Sequence, residues 1–437
     1  MNLLSSSQAS RLTHLVALMR RASVASTIIP PDLSPIIHCI ETPGDRMFLD
    51  HYMTRLSYIF TVDGEQRNAF QDILFPMAVE HPGLMHSLLA LSGKHIDFRS
   101  PTSLLYLENH PEVDVHYLEE RARYHDEHAW SDFMAGIDRQ HQQDQLVPAT
   151  VGQMIFLVLQ TLADPNPMGA HRPHLEAYQR VIRRTPPGDD DFLRFAQEFF
   201  EFHIGLDELI SLPKSHTSTE FVPPTPISDE LVVPEFVQRD AVRLLGVFDG
   251  LFSHMSKITH LRNNVRELMQ KGAHAPFDYS IVSPALDIHE SLNKWTPAWP
   301  AGRDSRDLAG ILYRQMLVVY LFRTIYPPNP TTWSIREDLI VEVDKGIAML
   351  EKFTPQDRSQ TLILAPAFLL GCAAFHESQR VPIRKAIATV KSYMELANSN
   401  SALLVLEEVW RLMDAKDPRS WDWQTIAHDM GMDFLAT

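Results

Sequence analysis

The chain has 437 residues, 45% of them hydrophobic and 22% charged, a composition that excludes a wholly disordered protein. Its formal net charge is -16 and no run of more than two Lys or Arg residues occurs, which excludes strong binding of this chain to nucleic acid. The two cysteines, Cys39 and Cys372, exclude a disulfide scaffold as the main source of stability and cannot form a four-cysteine metal site.

The N-terminal segment, residues 1–45, is predicted to be irregular. Pro30-Pro31 opposes helix formation, and only Leu12–Met19 has the spacing of a short helix. Arg and Ser are frequent and no acidic residue precedes Asp32, which is also typical of a mitochondrial transit peptide. A flexible linker is the interpretation that we favour, with the transit peptide as the alternative.

Helical periodicity begins at Arg46 and continues through two apolar helices. One helix face is predicted to carry Leu49, Tyr52, Met53, Leu56, Ile59 and Phe60. Pro82-Gly83 suits the start of the next helix, and the previous one ends at Glu80 or His81. The stripe of this next helix is formed by Leu84, Leu88, Leu91 and His95, with Met85, Leu89 and Ile96 beside it.

The rest of the chain has the same helical pattern. Asp114–Ile137 is predicted as a long polar helix with a thin apolar seam at Leu118, Ala122, Ala129 and Phe133. Ala149–Ala163 is apolar on nearly all sides, so it is predicted to lie at the centre of the fold. Further helices are predicted at Arg172–Ile182, Asp191–Leu212, Glu235–Lys271, Ile281–Lys294, Asp304–Tyr326, Ile335–Phe353, Thr361–Ser378, Ile383–Ala397 and Ser401–Asp414.

These elements predict an all-α fold, a multi-helix bundle of antiparallel helix hairpins within one large domain, residues 46–437. No run of alternating strands is found, and no fixed-period repeat supports a solenoid. Residues 213–234 carry five prolines and form the predicted internal loop. Thr361–Phe375 is uncharged but too short to span a bilayer, so a buried helix is expected and no membrane segment.

Several patterns invite a catalytic or metal-binding interpretation, and each has a simpler explanation. His125 and His128 are three residues apart, whereas the metalloprotease motif needs His-Glu-x-x-His, so a surface helix is expected. Ser92 lacks the preceding Gly and strand of a nucleophile elbow and is expected to bond locally within its helix. His95 is interpreted as a packed or capping residue.

Phosphate-binding loops, acid–base pairs and ligand pockets receive no better support. The chain contains neither Gly-rich phosphate motif. Asp189–Asp191 is interpreted as a solvated turn and helix N-terminus, and the tryptophans near the C-terminus, Trp410, Trp421 and Trp423, as core residues in preference to a ligand pocket. The sequence therefore predicts no catalytic residue, no cofactor-binding residue, no metal ligand and no cofactor.

The stretch His51–Ile96 resembles the opening of the fungal-specific transcription factor domain. The matching positions are His51, Tyr52, Asn68, Phe70, Pro76, Ala78, Leu84, His86, Leu88, Leu89, Ala90, Leu91, Ser92 and His95. Three later blocks resemble the same family through His174, Leu175, Ala177 and Ile182, through Pro366, Gly371, Cys372, Ala373 and Arg380, and through Val409, Trp410, Trp421 and Trp423.

The resemblance implies an all-helical regulatory domain in a fungal nucleus, tied to a six-cysteine zinc cluster that reads DNA. Two cysteines cannot build that cluster, so neither DNA binding nor zinc is carried over to this chain. A fragment of a longer regulator and a relative that acts without a DNA reader both fit this pattern.

The expected function is a transcription regulator that lacks its own DNA-binding module. It would act through the transcription machinery or other regulatory proteins, through a small apolar effector, or as a homodimer held by apolar helix faces, without direct nucleic-acid binding. The alternative is a helical enzyme or carrier for a hydrophobic metabolite, in an organelle. The apolar helices, the tryptophans and the transit-like N-terminus favour this alternative, whereas no nucleophile, metal set or cofactor loop does.

Overall fold

The first described helix begins at a reciprocal cap. The Thr42 hydroxyl accepts from the Asp45 N–H at 3.2 Å, and the Asp45 carboxylate accepts from the Thr42 N–H at 2.9 Å. This arrangement satisfies two amide groups that a helix N-terminus otherwise leaves without partners. It starts α1 (Pro43–His51), which continues through a π-helical turn, Tyr52–Leu56, into Ser57–Ile59.

The computed structural model describes residues 37–62, 68–143, 147–164, 168–184, 191–213, 250–271, 279–296, 305–328 and 337–437, and every regular element within these ranges is helical. After α1 come α2 (Phe75–Glu80, entered through the π turn Phe70–Leu74), α3 (Pro82–His95), α4 (Pro101–Asn109), α5 (Val115–Gln143), α6 (Pro148–Ala163), α7 (Arg172–Arg184) and α8 (Asp191–Ile210). The second half contains α9 (Leu251–Gln270), α10 (Tyr279–Lys294), α11 (Ser305–Ile325), α12 (Glu337–Leu350), α13 (Leu364–Gly371), α14 (Glu377–Met394), α15 (Asn398–Asp414) and α16 (Trp423–Asp429). The predicted all-α fold is confirmed.

Helix α3 lies at the centre of the N-terminal half, packed against both α5 and α6. A Cβ atom on Gly93 would stand 2.6 Å from the Cβ of Ala122, so the absence of a side chain lets α3 and α5 approach closely. Helix α6 is buried along nearly its whole length, as its apolar sequence predicts. The predicted one-sided stripe on α3 is too narrow, because His86, Ser87, Ala90, Ser92 and Gly93 are buried as well.

In the C-terminal half, neighbouring helices pack in sequence: α9 on α10, α10 on α11, α11 on α12, and α14 on α15. The buried apolar side chains of both halves form one connected core. Two predicted helices are wrong in their bounds. The helix predicted at Thr361–Ser378 ends as α13 at Gly371, and the helix predicted at Ile383–Ala397 begins as α14 at Glu377. The His376 N–H donates to the side-chain oxygen of Gln379 at 3.3 Å, so a new helix starts there.

The helix predicted at Asp114–Ile137 continues to Gln143 in the structure, and the other predicted helices match it within a few residues wherever it describes them. The helix predicted at Glu235–Lys271 is described from Leu251 onward. The predicted internal loop, residues 213–234, lies outside the described residues except for Pro213, and so does most of the N-terminal segment. Asp189 and Asp190 also lie outside them.

Candidate functional site

The opening block brings a chain of titratable side chains together between α1, α3 and α5. Asp45 is fully buried at the start of α1. Arg121 of α5 donates to both of its carboxylate oxygens, from Nε at 2.6 Å and from Nη2 at 2.9 Å. His125, one turn further along α5, is bonded to the same carboxylate at 2.8 Å. Asp45 therefore joins the cap of α1 to the inner face of α5.

The chain of contacts extends from His125 to the edge of the protein. His125 Nδ1 lies 2.8 Å from His86 Nδ1 on α3, and His86 Nε2 lies 3.4 Å from the sulfur of Cys39. A carboxylate only accepts, so His125 donates through Nε2–H to Asp45 and accepts at Nδ1. His86 then donates from Nδ1 and accepts at Nε2 from the thiol. One set of tautomers thus satisfies every polar atom in this hydrogen-bonded row, which runs through Asp45, His125, His86 and Cys39 and is called the histidine row below.

The electrostatics of this row agree with neutral imidazoles and an ionised carboxylate. Burial alone would raise the pKa of Asp45, but hydrogen bonds from His125 and Arg121 hold that pKa well below its usual range. Burial, and then the nearby His125 and His128, lowers the pKa of His86 to about 4. Burial also lowers the pKa of His125, while its bond to Asp45 acts in the opposite direction.

These positions test the sequence-based interpretation of His125 and His128. The surface-helix prediction is wrong for His125, which is fully buried, and it is right for His128, which is exposed. His125 occupies the seam of α5 between Ala122 and Ala129, at helical spacing of three and four residues. That spacing indicates from the sequence that His125 is buried. No sequence pattern indicates that His125 lies close to Asp45 or Cys39.

A second histidine pair links the opening block to the C-terminal half. His51 Nε2 lies 3.0 Å from His95 Nδ1, and His95 Nε2 donates to the Met394 carbonyl at 2.9 Å. Arg55 donates to the Tyr393 carbonyl at 2.7 Å beside it. His95 is therefore a packed residue that closes the end of α14, and Ser92 bonds locally to the Leu88 carbonyl at 3.2 Å.

Two arginines are buried beneath the closing block of the chain. The guanidinium carbon of Arg262 lies 3.9 Å from the ring centre of Trp421 and 3.5 Å from that of Trp423, so the cation is sandwiched between two aromatic faces. Arg323 donates to the carbonyls of Cys372 and Ser420. Burial lowers the pKa of Arg262 to about 10 and that of Arg323 to about 9.

The closing-block residues of the resemblance are thus core residues, as predicted. Trp410, Trp421 and Trp423 are all buried, and each indole N–H donates to a backbone carbonyl. Arg266 and Asp422 form a bidentate ion pair at the same junction. These bonds fasten the C-terminal segment to α8, α9 and α11, and they leave the tryptophans no role in an open pocket.

One group in the described part of the chain has the composition of a metal site. His171, Asp207 and Asp433 place one possible ligand atom each within 4.8 Å of the others. Arg172, however, donates to both carboxylates. Since the guanidinium already occupies carboxylate oxygens of both acids, we interpret the group as an ion-pair cluster that attaches the C-terminal segment to α7 and α8.

Two surface features lie on α10. A cleft of about 380 Å³ separates it from α9 and is lined by polar side chains, such as His260 and Asp287, and by the apolar side chains of Leu261, Pro284 and Ile288. On another part of the helix, Tyr279, Val282 and Leu286 are exposed by 81%, 36% and 62%. Their spacing of three and four residues makes them one apolar stripe.

Helix α11 is long and apolar enough to cross a membrane by length and composition. Most of this apolar stretch, 72%, is buried inside the protein. A core helix has the same composition, and α11 packs against α9, α10 and α12.

The fold and these networks define an all-helical domain whose opening and closing blocks are joined through a common core. The family model of the fungal specific transcription factor domain matches residues 47–437, which is well over half of the chain. The chain therefore belongs to the fungal specific transcription factor domain family. No curated protein and no solved structure matches it.

Proposed function

We propose that this chain regulates transcription in the nucleus through protein partners and without a DNA-binding module of its own. The observation that carries the proposal is the family match across residues 47–437. The net charge of -16 supports the second part, because an acidic protein is repelled by DNA phosphates. On this proposal the chain is a regulator and not an enzyme.

The apolar stripe on α10 is the surface that we assign to a partner. Single exposed apolar residues are common on any protein surface, whereas a contiguous set of large ones is uncommon. Such a set therefore favours contact with another protein. Tyr279 is well suited to anchor an interface, because it adds a large rigid ring and a polar tip. The exposed lining of the neighbouring cleft is more apolar than polar, so the cleft fits the small apolar effector expected from the sequence.

The direct test is a tethering experiment. The chain is fused to an unrelated DNA-binding module, and a reporter downstream of the module's site is measured against the module alone. A change in reporter output supports the regulatory function, and unchanged output at normal protein levels contradicts it. A fluorescent fusion in living fungal cells gives the location, and a mitochondrial signal would favour the metabolite enzyme or carrier.

Stripe variants separate partner contact from folding. Leu286→Ser is expected to weaken partner binding by roughly tenfold, or ~1–2 kcal/mol. Val381→Ser on α14 is the matched control, because Val381 is 57% exposed and lies outside the stripe. Equal reporter output from both variants would remove the stripe from the interface. If the parent is a dimer and Leu286→Ser is a monomer, the partner is a second copy of the chain.

A further inference from the structure

The outer end of the histidine row carries a second type of chemistry, independent of transcription. We infer that Cys39 and His86 are the first two ligands of a Zn²⁺ site, which His128 and Asp132 of α5 complete. Cys39 is half-buried and His128 is exposed, so the site opens to solvent. No residue of the apolar stripe on α10 takes part.

The spacing of the two atoms suits a shared metal ion. Cys39 Sγ and His86 Nε2 are 3.4 Å apart. Zinc bonds of about 2.3 Å to sulfur and 2.0–2.1 Å to nitrogen, opened to a tetrahedral angle, place the two ligands roughly 3.6 Å apart. An ion can therefore replace the thiol proton with almost no movement of the backbone.

The histidine is oriented as zinc-binding histidines are. Metal-bound imidazoles usually donate their second N–H to an outer acceptor, which fixes the tautomer and turns the other nitrogen to the ion. His86 donates from Nδ1 to His125, and His125 donates to the buried carboxylate of Asp45. Arg121 and the cap of α1 in turn hold Asp45. The outer shell is thus already assembled behind Nε2.

Two further ligand types stand on one face of α5 next to the pair. The His128 and His86 rings are 5.1 Å apart between centres, and the His128 Nδ1–H donates to the Tyr124 carbonyl, which leaves Nε2 to coordinate. Asp132, four residues later, lies against Gly83, and the carbonyl of the preceding Pro82 is 3.9 Å from the Cys39 sulfur. The ligand atoms of His128 and Asp132 are not grouped with those of the pair as they stand, and rotation of both side chains would complete a Cys-His-His-Asp set.

The charges around the thiol favour a cation over nucleophilic chemistry. Burial and the acids Glu41, Asp45 and Asp132 raise the pKa of Cys39 to about 11, while Arg121 acts against them. A thiol that stays protonated is a weak nucleophile, whereas reactive cysteines lie in electropositive surroundings. A bound Zn²⁺ would reverse the local charge and hold the sulfur as thiolate.

Cobalt is the spectroscopic probe for this site. The purified full-length chain is titrated with Co²⁺ and then with Zn²⁺ under a phosphine reductant. We expect one equivalent of tetrahedral Co²⁺ with a sulfur-to-cobalt absorption band, and displacement of that band by Zn²⁺. Cys39→Ser should abolish the band, and Cys372→Ser should retain it because that thiol is fully buried elsewhere in the core.

Exposed ligands keep the test independent of folding. His128→Ala and Asp132→Asn should each weaken Zn²⁺ binding by at least the roughly 10–100-fold that loss of an outer-shell partner costs. Zn²⁺ should also slow alkylation of Cys39 in the native protein. The site is refuted if Co²⁺ gives no sulfur band, if Zn²⁺ leaves the alkylation rate unchanged, or if His171→Ala abolishes binding while Cys39→Ser does not.

Discussion

Replacement of Asp45 by alanine is the sharpest test of the buried network. The substitution removes the acceptor for Arg121, for His125 and for the backbone N–H groups of Glu41 and Thr42. Removing one partner of a buried ion pair costs about 3–5 kcal/mol. Losing a helix cap costs about 1 kcal/mol more. We therefore expect Asp45→Ala to lower the free energy of unfolding by roughly 4–6 kcal/mol, a large share of the ~5–15 kcal/mol of a typical domain.

The assay is urea denaturation at pH 7.5 followed by far-UV circular dichroism. Glu41→Ala is the matched control, since Glu41 is 61% exposed and its carboxylate oxygen stands 3.7 Å from the Arg121 guanidinium. Exposed ion pairs contribute about 0–1 kcal/mol, so this variant should unfold close to the parent. Asp45→Asn keeps the shape of the side chain and one acceptor oxygen, and its loss should lie between the two.

The outcome decides whether Asp45 organises the opening block. If the urea midpoints of Asp45→Ala and Glu41→Ala agree within error, Arg121 and His125 have found water or other acceptors with little loss of stability. The network would then be an accessory feature of α5, and the orientation of His86 would need another cause. A large loss restricted to Asp45→Ala supports the hydrogen-bonded row described above.

Three further predictions concern packing, pH and DNA. Leu88→Ala should cost about 2–5 kcal/mol, as for a fully buried leucine, and His95→Ala about 1–3 kcal/mol from the carbonyl that it leaves unpaired, both by urea denaturation. Stability should fall as pH drops from 6.5 towards 4, because the unfolded chain binds protons that four histidines of the folded chain refuse. Burial lowers the pKa of His51 to about 3 and the pKa values of His86, His174 and His203 to about 4. Burial raises the pKa of Glu208 to about 7, so the folded chain gains one proton there that offsets one of the four. A net loss of roughly 4 kcal/mol per pH unit is expected between the folded and unfolded pKa values, and constant stability across this range would contradict it. Duplex DNA should bind weakly and without sequence preference, and a salt-resistant specific complex in a mobility-shift assay would disprove this.

The helices could be predicted because their apolar residues repeat at a period set by local geometry. The start of α3 at Pro82, the buried length of α6 and the burial of the three closing tryptophans all follow from the order of residues along the chain. The break of the predicted helix Thr361–Ser378 into two helices could not be predicted, because the residues directly after Gly371 are as apolar as those before it. Only the bond from the His376 N–H to the Gln379 side chain marks the new helix, and histidine is an unusual residue at a helix N-cap.

The polar networks could not be predicted, because each joins residues that are far apart in the chain. Asp45 meets His125 across 80 positions, and His95 meets the Met394 carbonyl across 299. A sequence supplies the spacing that buries His125 on α5, but the partner depends on how α1 crosses that helix. Burial of a histidine can thus be read from periodicity, whereas its hydrogen-bond partner comes from tertiary packing.

The same contacts explain why the resemblance to the family rests on many weak positions. His95 from the opening block reaches the end of α14, and the indole of Trp410 from the closing block reaches the Gly371 carbonyl at 2.8 Å. Arg380, also among the matching positions, lies 5.6 Å from the Trp410 ring and forms an ion pair with Asp414. In this chain these positions build the joints between helices, so they hold the fold together. On the proposed function, partner choice would then depend on surface residues such as those of the α10 stripe, which the matching positions do not include.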